Sequence, residues 1–477
     1  MEPTVFAADS VQTLTEFEGD ALRVAEVLRE RGVALGTRVI LKADNSAAYL
    51  KTLFALLHVG ASVVLADQQE HVADTRAVAA QSGAKLLLVD DDAPVAEDLA
   101  PVRLYELLVD AAGLAGADGR LDFDDWAALP DGLIMRTSGS TGTPKCVVKS
   151  GGAFLRNLER NAAQVGHVGD DVLLPLLPFA HQYGLSMVLI AWQVRCSLVI
   201  APYRRLDQAL RMAGDAGVTV IDATPASYRS MLNLATRRAA LRAGLDGARM
   251  FCVGAAPLDA SLVGGYVAEF GRPLLDSYGS TELGNVAFAT IDNPVECGRA
   301  MPGIGVRVVD DLGRPLPAGE AGEIEVDTPD GLTGHLADDG ALLPAPGGWA
   351  RTGDLGRLDA DGNLSVLGRK HAVHRMGYTL YPDLIERRVA DAGHRVRVVA
   401  LPDQRAGVTL TFFVEDEAGN DAQHWRDALH GLLPAYERPN RVAVLERFPL
   451  NRNGKVDKLQ LRKLAAEAEA VPAAAGR

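Results

Sequence analysis

The sequence is poor in cysteine and has no excess of positive charge. Its 477 residues include only four cysteines, which are widely spaced and form no C-x-x-C pair. Neither a zinc knuckle nor a disulfide framework is therefore expected, and a reducing, cytoplasmic location fits best. With 48 Lys and Arg against 62 Asp and Glu, the net charge of −14 argues against a nucleic-acid partner.

The sequence also lacks long apolar runs. The apolar stretch 185–190 is short and Arg195 soon follows it, whereas a membrane helix needs roughly 20 such residues. The first twenty residues carry acidic side chains and no basic segment ahead of an apolar one, so a secretory signal is not expected. We expect no membrane association.

Strand-like and helix-like segments alternate over about the first three hundred residues. Apolar strand-like segments at 37–41, 61–66, 172–176 and 218–223 alternate with amphipathic segments such as 47–59. This alternation predicts parallel sheets covered by helices. After about residue 303, short strands separated by Gly and Pro turns indicate a compact β subdomain, and an α+β segment runs from about residue 370.

The segment 137–145 has the composition of a phosphate-binding loop. It follows the apolar strand-like segment 132–135 and offers glycines, hydroxyl groups and one lysine. Glycine allows close backbone approach, hydroxyls and backbone N–H groups donate to phosphate oxygens, and lysine adds positive charge. The spacing is not that of a P-loop; the alternative is a flexible surface loop. The residues concerned are Thr137, Ser138, Gly139, Ser140, Thr141, Gly142, Thr143 and Lys145.

Three further segments carry chemically useful side chains, each with a structural alternative. In 276–282, Tyr278 could stack on a base and Glu282 could hold Mg²⁺, but a Glu at the start of a helix is an equal alternative. In 348–356, Asp354 could accept both hydroxyls of a ribose, or could simply occupy a Gly-Asp turn. In 451–455, Lys455 follows an Asn-Gly turn and could be a solvated charge.

Together these four segments, in this order and spacing, resemble the acyl-adenylate-forming superfamily, which includes acyl-CoA synthetases, adenylation domains of peptide synthetases and luciferases. The resemblance covers nearly the whole chain, including 14–67 and the turn 254–258. It implies an α/β fold with a large N-terminal domain of stacked αβαβα sheets, residues 1–369, whose β subdomain spans about 303–369. A small, mobile α+β C-terminal domain, residues 370–477, would follow it. The tail from Ala465 is expected to fray.

The resemblance also implies an ATP- and Mg²⁺-dependent enzyme that converts a carboxylic acid to an acyl-adenylate and releases pyrophosphate. Residues 137–145 would hold the β- and γ-phosphates, Thr281 the α-phosphate and Glu282 the Mg²⁺. Lys455 would bridge the carboxylate and the α-phosphate in the transition state. The adenine would lie against Gly254, Ala255, Ala256 and Tyr278, and the ribose hydroxyls against Asp354 and Arg369.

The acceptor of the acyl group is less certain, because the segment 368–382 departs from the family pattern. It looks one residue short and lacks an acidic pair after Arg369, so that Lys370 or His371 would occupy the hinge. Thioester formation with coenzyme A is the leading expectation. The alternatives are an adenylation-only enzyme that passes the acyl-AMP to an acyl-carrier protein or a downstream acyl-transfer enzyme, and a non-catalytic nucleotide-binding scaffold.

The segment 178–184 matches the place where acyl-CoA synthetases carry a histidine beside the acyl tunnel. His181 is therefore a catalytic candidate, with a packed core histidine as the alternative. Amino-acid-activating relatives keep an aspartate there, and none occurs between Phe179 and Gly184. The resemblance thus favours a small-molecule acid without an α-amine, in a pocket completed near Asp222, Tyr228, Gly254 and Ser280.

Overall fold

A computed structural model gives the architecture for residues 2–115, 119–137, 145–371, 373–375, 378–403, 407–451 and 454–470. Its helices are α1 Leu14–Glu30, α2 Ala47–Val59, α3 Val72–Ser82, α4 Leu104–Ala112, α5 Asp124–Ala128, α6 Gly151–Val165, α7 Gln182–Val194, α8 Leu206–Ala216, α9 Pro225–Arg237, α10 Ala239–Asp246, α11 Ala260–Phe270, α12 Pro382–Asp391, α13 Ala422–Leu432 and α14 Lys458–Ala470.

The strands are β1 Thr4–Ala7, β2 Val11–Thr13, β3 Arg38–Lys42, β4 Ser62–Ala66, β5 Leu86–Val89, β6 Val102–Arg103, β7 Leu133–Thr137, β8 Lys145–Lys149, β9 Val172–Leu176, β10 Ser197–Ile200, β11 Val220–Ala223, β12 Met250–Val253, β13 Leu274–Ser280, β14 Gly284–Phe288, β15 Arg299–Ala300, β16 Gly305–Val309, β17 Gly322–Asp327, β18 Gly334–Leu336, β19 Leu342–Pro344, β20 Ala350–Leu358, β21 Leu364–Arg369, β22 Val373–Arg375, β23 Tyr378–Leu380, β24 Val396–Asp403, β25 Gly407–Glu415 and β26 Arg441–Leu445.

Two compact units divide the chain. The first comprises Met1–Ala255, Phe270–Gly305 and Val326–Ala350, and the second comprises Ala256–Glu269, Val306–Glu325 and Arg351–Arg477. The units interleave in sequence, so the boundary predicted between residues 369 and 370 stays a prediction.

The first unit contains two large sheets. One has the strand order β15-β14-β13-β12-β11-β9-β10-β1-β2 and the other β19-β18-β8-β7-β4-β3-β5-β6. The central neighbours β9, β11, β12 and β13 are parallel in the first sheet, as are β3, β4, β5 and β7 in the second. The predicted parallel sheets are therefore confirmed. One apolar core takes side chains from both sheets and from α1, α2, α6 and α7.

The second unit is built around smaller sheets. Strands β24, β25 and β26 form one, with β24 and β25 antiparallel and β25 and β26 parallel. Its core is formed by side chains of these strands together with α12 and α13. The four-stranded sheet β16-β17-β20-β21 belongs for the most part to this unit. The predicted hairpin around residues 361–363 is confirmed by the antiparallel pairing of β20 with β21.

Local sequence signals explain several element boundaries. The predicted helix 47–59 is observed as α2, which begins after the Ser46 cap and ends at Gly60 in the left-handed region. Helix α1 begins at Leu14, where Thr13 and Glu16 form a reciprocal capping box. The expected fraying from Ala465 is wrong for residues 465–470, which continue α14; the buried Leu461 and Ala465 anchor that helix.

No helix among the described residues combines the length and the apolar character that a membrane span requires.

Candidate active site

The predicted phosphate loop joins two neighbouring interior strands of the eight-stranded sheet. Strands β7 and β8 are antiparallel, and their last and first residues, Thr137 and Lys145, pair in register. Residues 138–144 lie outside the described residues. The hairpin nevertheless fixes both ends of the loop, and it places Thr137 at the carboxyl end of β7, beside the parallel strand β4.

The turn that follows β12 lies at the corresponding edge of the nine-stranded sheet. A Cβ atom on Gly254 would lie 2.5 Å from the Ser277 Oγ and 3.1 Å from the Tyr183 ring. A side chain at this position would clash with both residues. Ala255 has φ of 69°, which is uncommon for a residue with a Cβ. The turn therefore requires glycine at position 254 and holds Ala255 in a left-handed backbone conformation.

Thr281 and Glu282 lie in the turn between the antiparallel strands β13 and β14. The alternative of a helix beginning at Glu282 is wrong, because β14 starts at Gly284 and continues the sheet. Asn157 of α6 secures this hairpin by donating to the Asn285 carbonyl at 3.0 Å and accepting from its N–H at 2.8 Å. Tyr278 is a buried residue of β13.

Charged groups surround Glu282. Lys149, at the end of β8, is fully buried, and its Nζ has no hydrogen-bond partner within the described part of the chain. Burial lowers the pKa of Lys149 to about 7, although the carboxylates of Glu282 and Asp330 oppose that shift. Burial also lowers the pKa of His335, with Lys145 adding to the effect and Glu282 opposing it. The side chains of Lys149 and His335 are thus electrostatic neighbours of Glu282.

His181 lies at the start of α7, after the carboxyl end of β9, where it occupies the N-cap position. Its Nε2 is 3.5 Å from the Oδ2 atom of Asp67, which follows β4. Burial raises the pKa of Asp67, but the neighbouring His181 and a hydrogen bond from the Gln69 N–H outweigh burial and the net pKa is lowered. The pair joins residues that follow strands of different sheets.

Two residues beyond His181, Tyr183 donates a hydrogen bond of 2.9 Å to the Oδ1 atom of Asp222 on β11. Asp222 is buried, and its Oδ2 has no hydrogen-bond partner among the described residues. Burial raises the pKa of Asp222 to about 7, although the Tyr183 bond opposes the shift. Tyr183 also packs against Gly254, so it contacts two of the predicted pocket residues, Asp222 and Gly254.

In the second unit, Asp354 and Arg369 pair in register on β20 and β21, and Arg369 Nε lies 3.0 Å from Asp354 Oδ1. The alternative of Asp354 in a simple Gly-Asp turn is wrong, because it lies within β20. Crowding by surrounding protein lowers the pKa of Lys455; nearby Arg369 adds to this, while Asp354 opposes it. These three predicted residues are therefore electrostatic neighbours.

The predicted hinge residue Lys370 is held by two carboxylates. Its Nζ lies 2.8 Å from Asp311 Oδ1 and 3.0 Å from Glu323 Oε2, and its N–H donates to the Gly353 carbonyl at 2.8 Å. His371 is exposed. Lys370 rather than His371 therefore makes the anchoring contacts.

No group of three or more His, Cys, Asp or Glu side chains suited to a metal occurs among the described residues. A metal held here would need ligands beyond the protein. Mg²⁺ is commonly bound by one or two carboxylates together with substrate phosphates, so a single Glu282 beside a phosphate loop is a compatible donor.

Comparison with known proteins decides the family. The model of the family described as AMP-binding enzyme matches residues 3–336. The chain belongs to this family. The putative acyl-CoA ligase YdaB of Bacillus subtilis is 26% identical over 487 residues, covering 97% of this chain and 95% of YdaB. The feruloyl-CoA synthase of an Amycolatopsis species is 29% identical over 470 residues, covering 94% and 93%.

The crystal structure of ATP-bound MatB from Rhodopseudomonas palustris superposes with a TM-score of 0.84 at 26% identity, covering 98% of this chain and 96% of MatB. The predicted acyl-adenylate-forming class, the adenylating ligase activity and the mixed α/β fold are therefore confirmed.

Several residues around the site were not singled out from the sequence. Asn157 and Lys149 occur in segments that read as an ordinary helix and an ordinary apolar strand. Asp67 was noticed only as part of the amino-terminal resemblance. Its position directly after a buried parallel strand was the available signal, because ligands bind at the carboxyl ends of such strands.

Proposed function

We propose that this member of the AMP-binding family uses ATP to convert a small carboxylic acid to an acyl-adenylate and then transfers the acyl group to coenzyme A. The observation that carries the proposal is that Lys145, at the end of the predicted phosphate loop, and Glu282 both act on the same neighbour, His335. The Gly254 turn also packs against Ser277 of β13, the strand that leads into the Thr281–Glu282 turn.

Nucleotide binding follows from these positions. The loop 137–145 would hold the β- and γ-phosphates, with Lys145 as the mobile cation, and Thr281 would donate to the α-phosphate. The adenine would lie against Gly254, Ala255, Ala256 and Tyr278. Asp354, aligned by its ion pair with Arg369, would accept the ribose hydroxyls.

Adenylation joins two anions, so it needs positive charge where negative charge develops. Lys455 would supply that charge between the carboxylate and the α-phosphate. Lys455 is exposed, and its pKa is lowered by surrounding protein and by Arg369, while Asp354 opposes that shift. In this proposal the segment 370–477 is the small domain that carries Lys455, and residues 1–369 form the large one.

Mg²⁺ would be held by the Glu282 carboxylate together with phosphate oxygens, and when bound it would neutralise charge on the departing pyrophosphate. The neighbouring Lys149 and His335 both have lowered pKa values, because burial favours their neutral forms. The Glu282 backbone is held by a contact from outside its hairpin, because its carbonyl accepts from the Leu332 N–H at 2.7 Å.

The acyl pocket would lie beside His181, Tyr183 and Asp222. The unpartnered Oδ2 of Asp222 favours an acid whose acyl portion carries a hydroxyl or another hydrogen-bond donor, because a buried carboxyl oxygen gains by accepting such a bond. An acid without an α-amine remains the expectation.

Coenzyme A is the proposed acceptor, in line with the acyl-CoA ligase and feruloyl-CoA synthase among the relatives. An acyl-carrier protein is the competing acceptor. The reason to consider it is Lys370, whose two carboxylate contacts hold the predicted hinge in one arrangement and could slow a movement that thioester formation requires.

ATP–pyrophosphate exchange across a panel of carboxylic acids, with and without hydroxyl substituents, tests adenylation. The best acid is then tested for AMP and thioester formation with coenzyme A. Exchange followed by rapid thioester formation supports the whole proposal. Exchange without a thioester leaves adenylation intact and points to the carrier protein, and no exchange with any acid overturns the proposal in favour of a scaffold.

A further inference from the structure

His181 and Asp67 are brought together by the arrangement of the two large sheets. His181 lies beyond the carboxyl end of β9 in the nine-stranded sheet, and Asp67 lies beyond the carboxyl end of β4 in the eight-stranded sheet. Ligands of open α/β sheets bind outside such strand ends. The pair therefore lies where both sheets present their ligand-binding edges.

The segment that carries His181 is fixed from the side by Asn45. The Asn45 Oδ1 atom accepts from the Phe179 N–H at 2.8 Å, and its Nδ2 donates to the Leu177 carbonyl at 2.8 Å. The His181 N–H itself donates to the Pro178 carbonyl at 3.2 Å. This anchoring limits the positions available to the imidazole.

The two side chains differ in exposure. The His181 side chain is 35% exposed, whereas that of Asp67 is 14% exposed. Asp67 accepts from the Gln69 N–H at 2.9 Å, which helps to keep it a carboxylate. The imidazole is thus partly exposed, while its Nε2 atom is buried beside the Asp67 carboxylate. The Nδ1 atom is the ring nitrogen that does not face Asp67. A base held by a buried carboxylate is a recurrent arrangement for activating a nucleophile.

The surroundings indicate which nucleophile is involved. His181 and Tyr183 begin the same helix, and Tyr183 packs against Gly254 beside the proposed acyl pocket. In the proposed arrangement this segment borders the acyl group, so a proton acceptor on it would serve the acyl carbonyl. The second half-reaction, in which a thiol attacks that carbonyl, is the step that releases a proton.

We propose that Asp67 is a positioning residue that holds His181 as the base for thiol attack on the acyl-adenylate. This inference rests on the proposed coenzyme A reaction. The thiol proton moves to Nδ1 of His181 while the sulfur forms a bond with the acyl carbon. The bond between that carbon and the phosphate oxygen breaks, AMP leaves with the electron pair, and His181 returns its proton to solvent.

The test separates the half-reactions. The acyl-adenylate is formed without coenzyme A, pyrophosphate release is measured, and thioester formation is followed after coenzyme A is added. Asp67→Asn is expected to lower the thioester kcat at least about tenfold, with the KM for coenzyme A changed less than about twofold. Asp98→Asn, the same change in an exposed carboxylate paired with Arg76, is the matched control and should behave as wild type.

A double-mutant cycle provides a second readout. His181→Ala should slow the same half-reaction, and adding Asp67→Asn to it should cost less than about a further twofold, because the two residues act as a unit. Asp67→Glu should recover part of the loss. Thermal unfolding of each variant identifies any that fails to fold; if Asp67→Asn does, the half-reactions and the cycle with His181→Ala are measured with Asp67→Glu in its place.

Four outcomes would overturn the inference. Equal slowing of both half-reactions by Asp67→Asn, or full additivity in the cycle, would reduce Asp67 to a structural role. A wild-type rate of thioester formation in Asp67→Asn would refute the role of the His181–Asp67 pair and leave the proposed function intact. If the wild-type enzyme releases pyrophosphate and forms no thioester, the coenzyme A step of the proposed function is refuted, and the role of the His181–Asp67 pair with it.

Discussion

Lys149 and Asp222 in the first unit and Lys370 in the second show two ways in which the fold accommodates a charged side chain. The first unit buries Lys149 and Asp222 and leaves the Nζ of one and the Oδ2 of the other without a hydrogen-bond partner in the described part of the chain. In the second unit, Lys370 instead contacts Asp311 and Glu323; its hydrogen bond to Asp311 raises its pKa, and burial opposes that shift only in part. Burial without pairing moves a group towards its neutral form, whereas pairing keeps it charged.

Buried unpaired charges and paired charges should therefore differ in what they contribute: the former change the free energy of unfolding, and the latter mainly fix the position of a segment. A buried group with a shifted pKa makes folding depend on pH, because the folded and unfolded states bind protons differently. A paired, partly exposed group contributes little free energy and mainly fixes the position of a segment. Variants in the first unit should therefore change stability, and variants of the paired charges should change it little.

Lys455 belongs to the second unit, yet its pKa is lowered, as that of Lys149 is in the first unit. It therefore tests the contrast. Lys455→Ala should lower the rate of ATP–pyrophosphate exchange at least about a hundredfold, since it removes the charge proposed to stabilise the transition state. Lys458→Ala, which removes an exposed lysine paired with Asp383 at 2.9 Å, is the control and should stay within about threefold. Exchange that survives Lys455→Ala would refute the assigned role.

Lys149→Met should stabilise the protein, and more so at low pH. The unfolded lysine titrates near 10.5 and the folded one near 7, so the penalty for burying the charge is complete below pH 7 and fades between pH 7 and 10.5. We expect a gain on the order of 2 kcal/mol in the free energy of unfolding at pH 6, and about half of that at pH 9. Urea unfolding at both pH values measures it.

The exposed Lys85 provides the control for that experiment. Lys85→Met should leave the pH dependence of unfolding as in wild type. A gain from Lys149→Met that is equal at pH 6 and pH 9 would mean that Lys149 is not a buried cation, and the contrast between the units would lose one of its two supports.

Asp222→Asn should show the opposite pH dependence. Its folded pKa of about 7 lies above the unfolded value of 3.8, so the penalty is absent below pH 3.8, grows up to pH 7 and is complete above it. Asparagine can still accept from Tyr183. We expect a gain on the order of 1.5 kcal/mol at pH 8 and about a third of that at pH 5. The exposed Asp215→Asn should show neither gain.

The layered fold could be predicted from the sequence because buried parallel strands form continuous apolar runs and helices carry local end signals, as α2 does with Ser46 and Gly60. The partners of the site residues could not be predicted. The contacts of His181 with Asp67 and of Asn157 with Asn285 join distant segments, and nothing local in either segment specifies the other.

The same limitation applies to burial. Lys149 ends a strand whose preceding residues are apolar, a position where lysine is ordinarily exposed. Its burial depends on residues brought by other segments, including Glu282 and Asp330. Sequence patterns therefore identified the residues proposed to contact the nucleotide, whereas the groups that tune their electrostatics required the folded chain.

The smallest effect is expected from Lys370→Met, which removes the two carboxylate contacts at the predicted hinge. Because the side chain is partly exposed, the free energy of unfolding should fall by less than about 1 kcal/mol. Pyrophosphate exchange should stay within about twofold. If the contacts also restrain a movement needed after adenylation, thioester formation should become faster relative to exchange. A large loss of stability in this variant would show that pairing in the second unit is as costly to disturb as burial in the first.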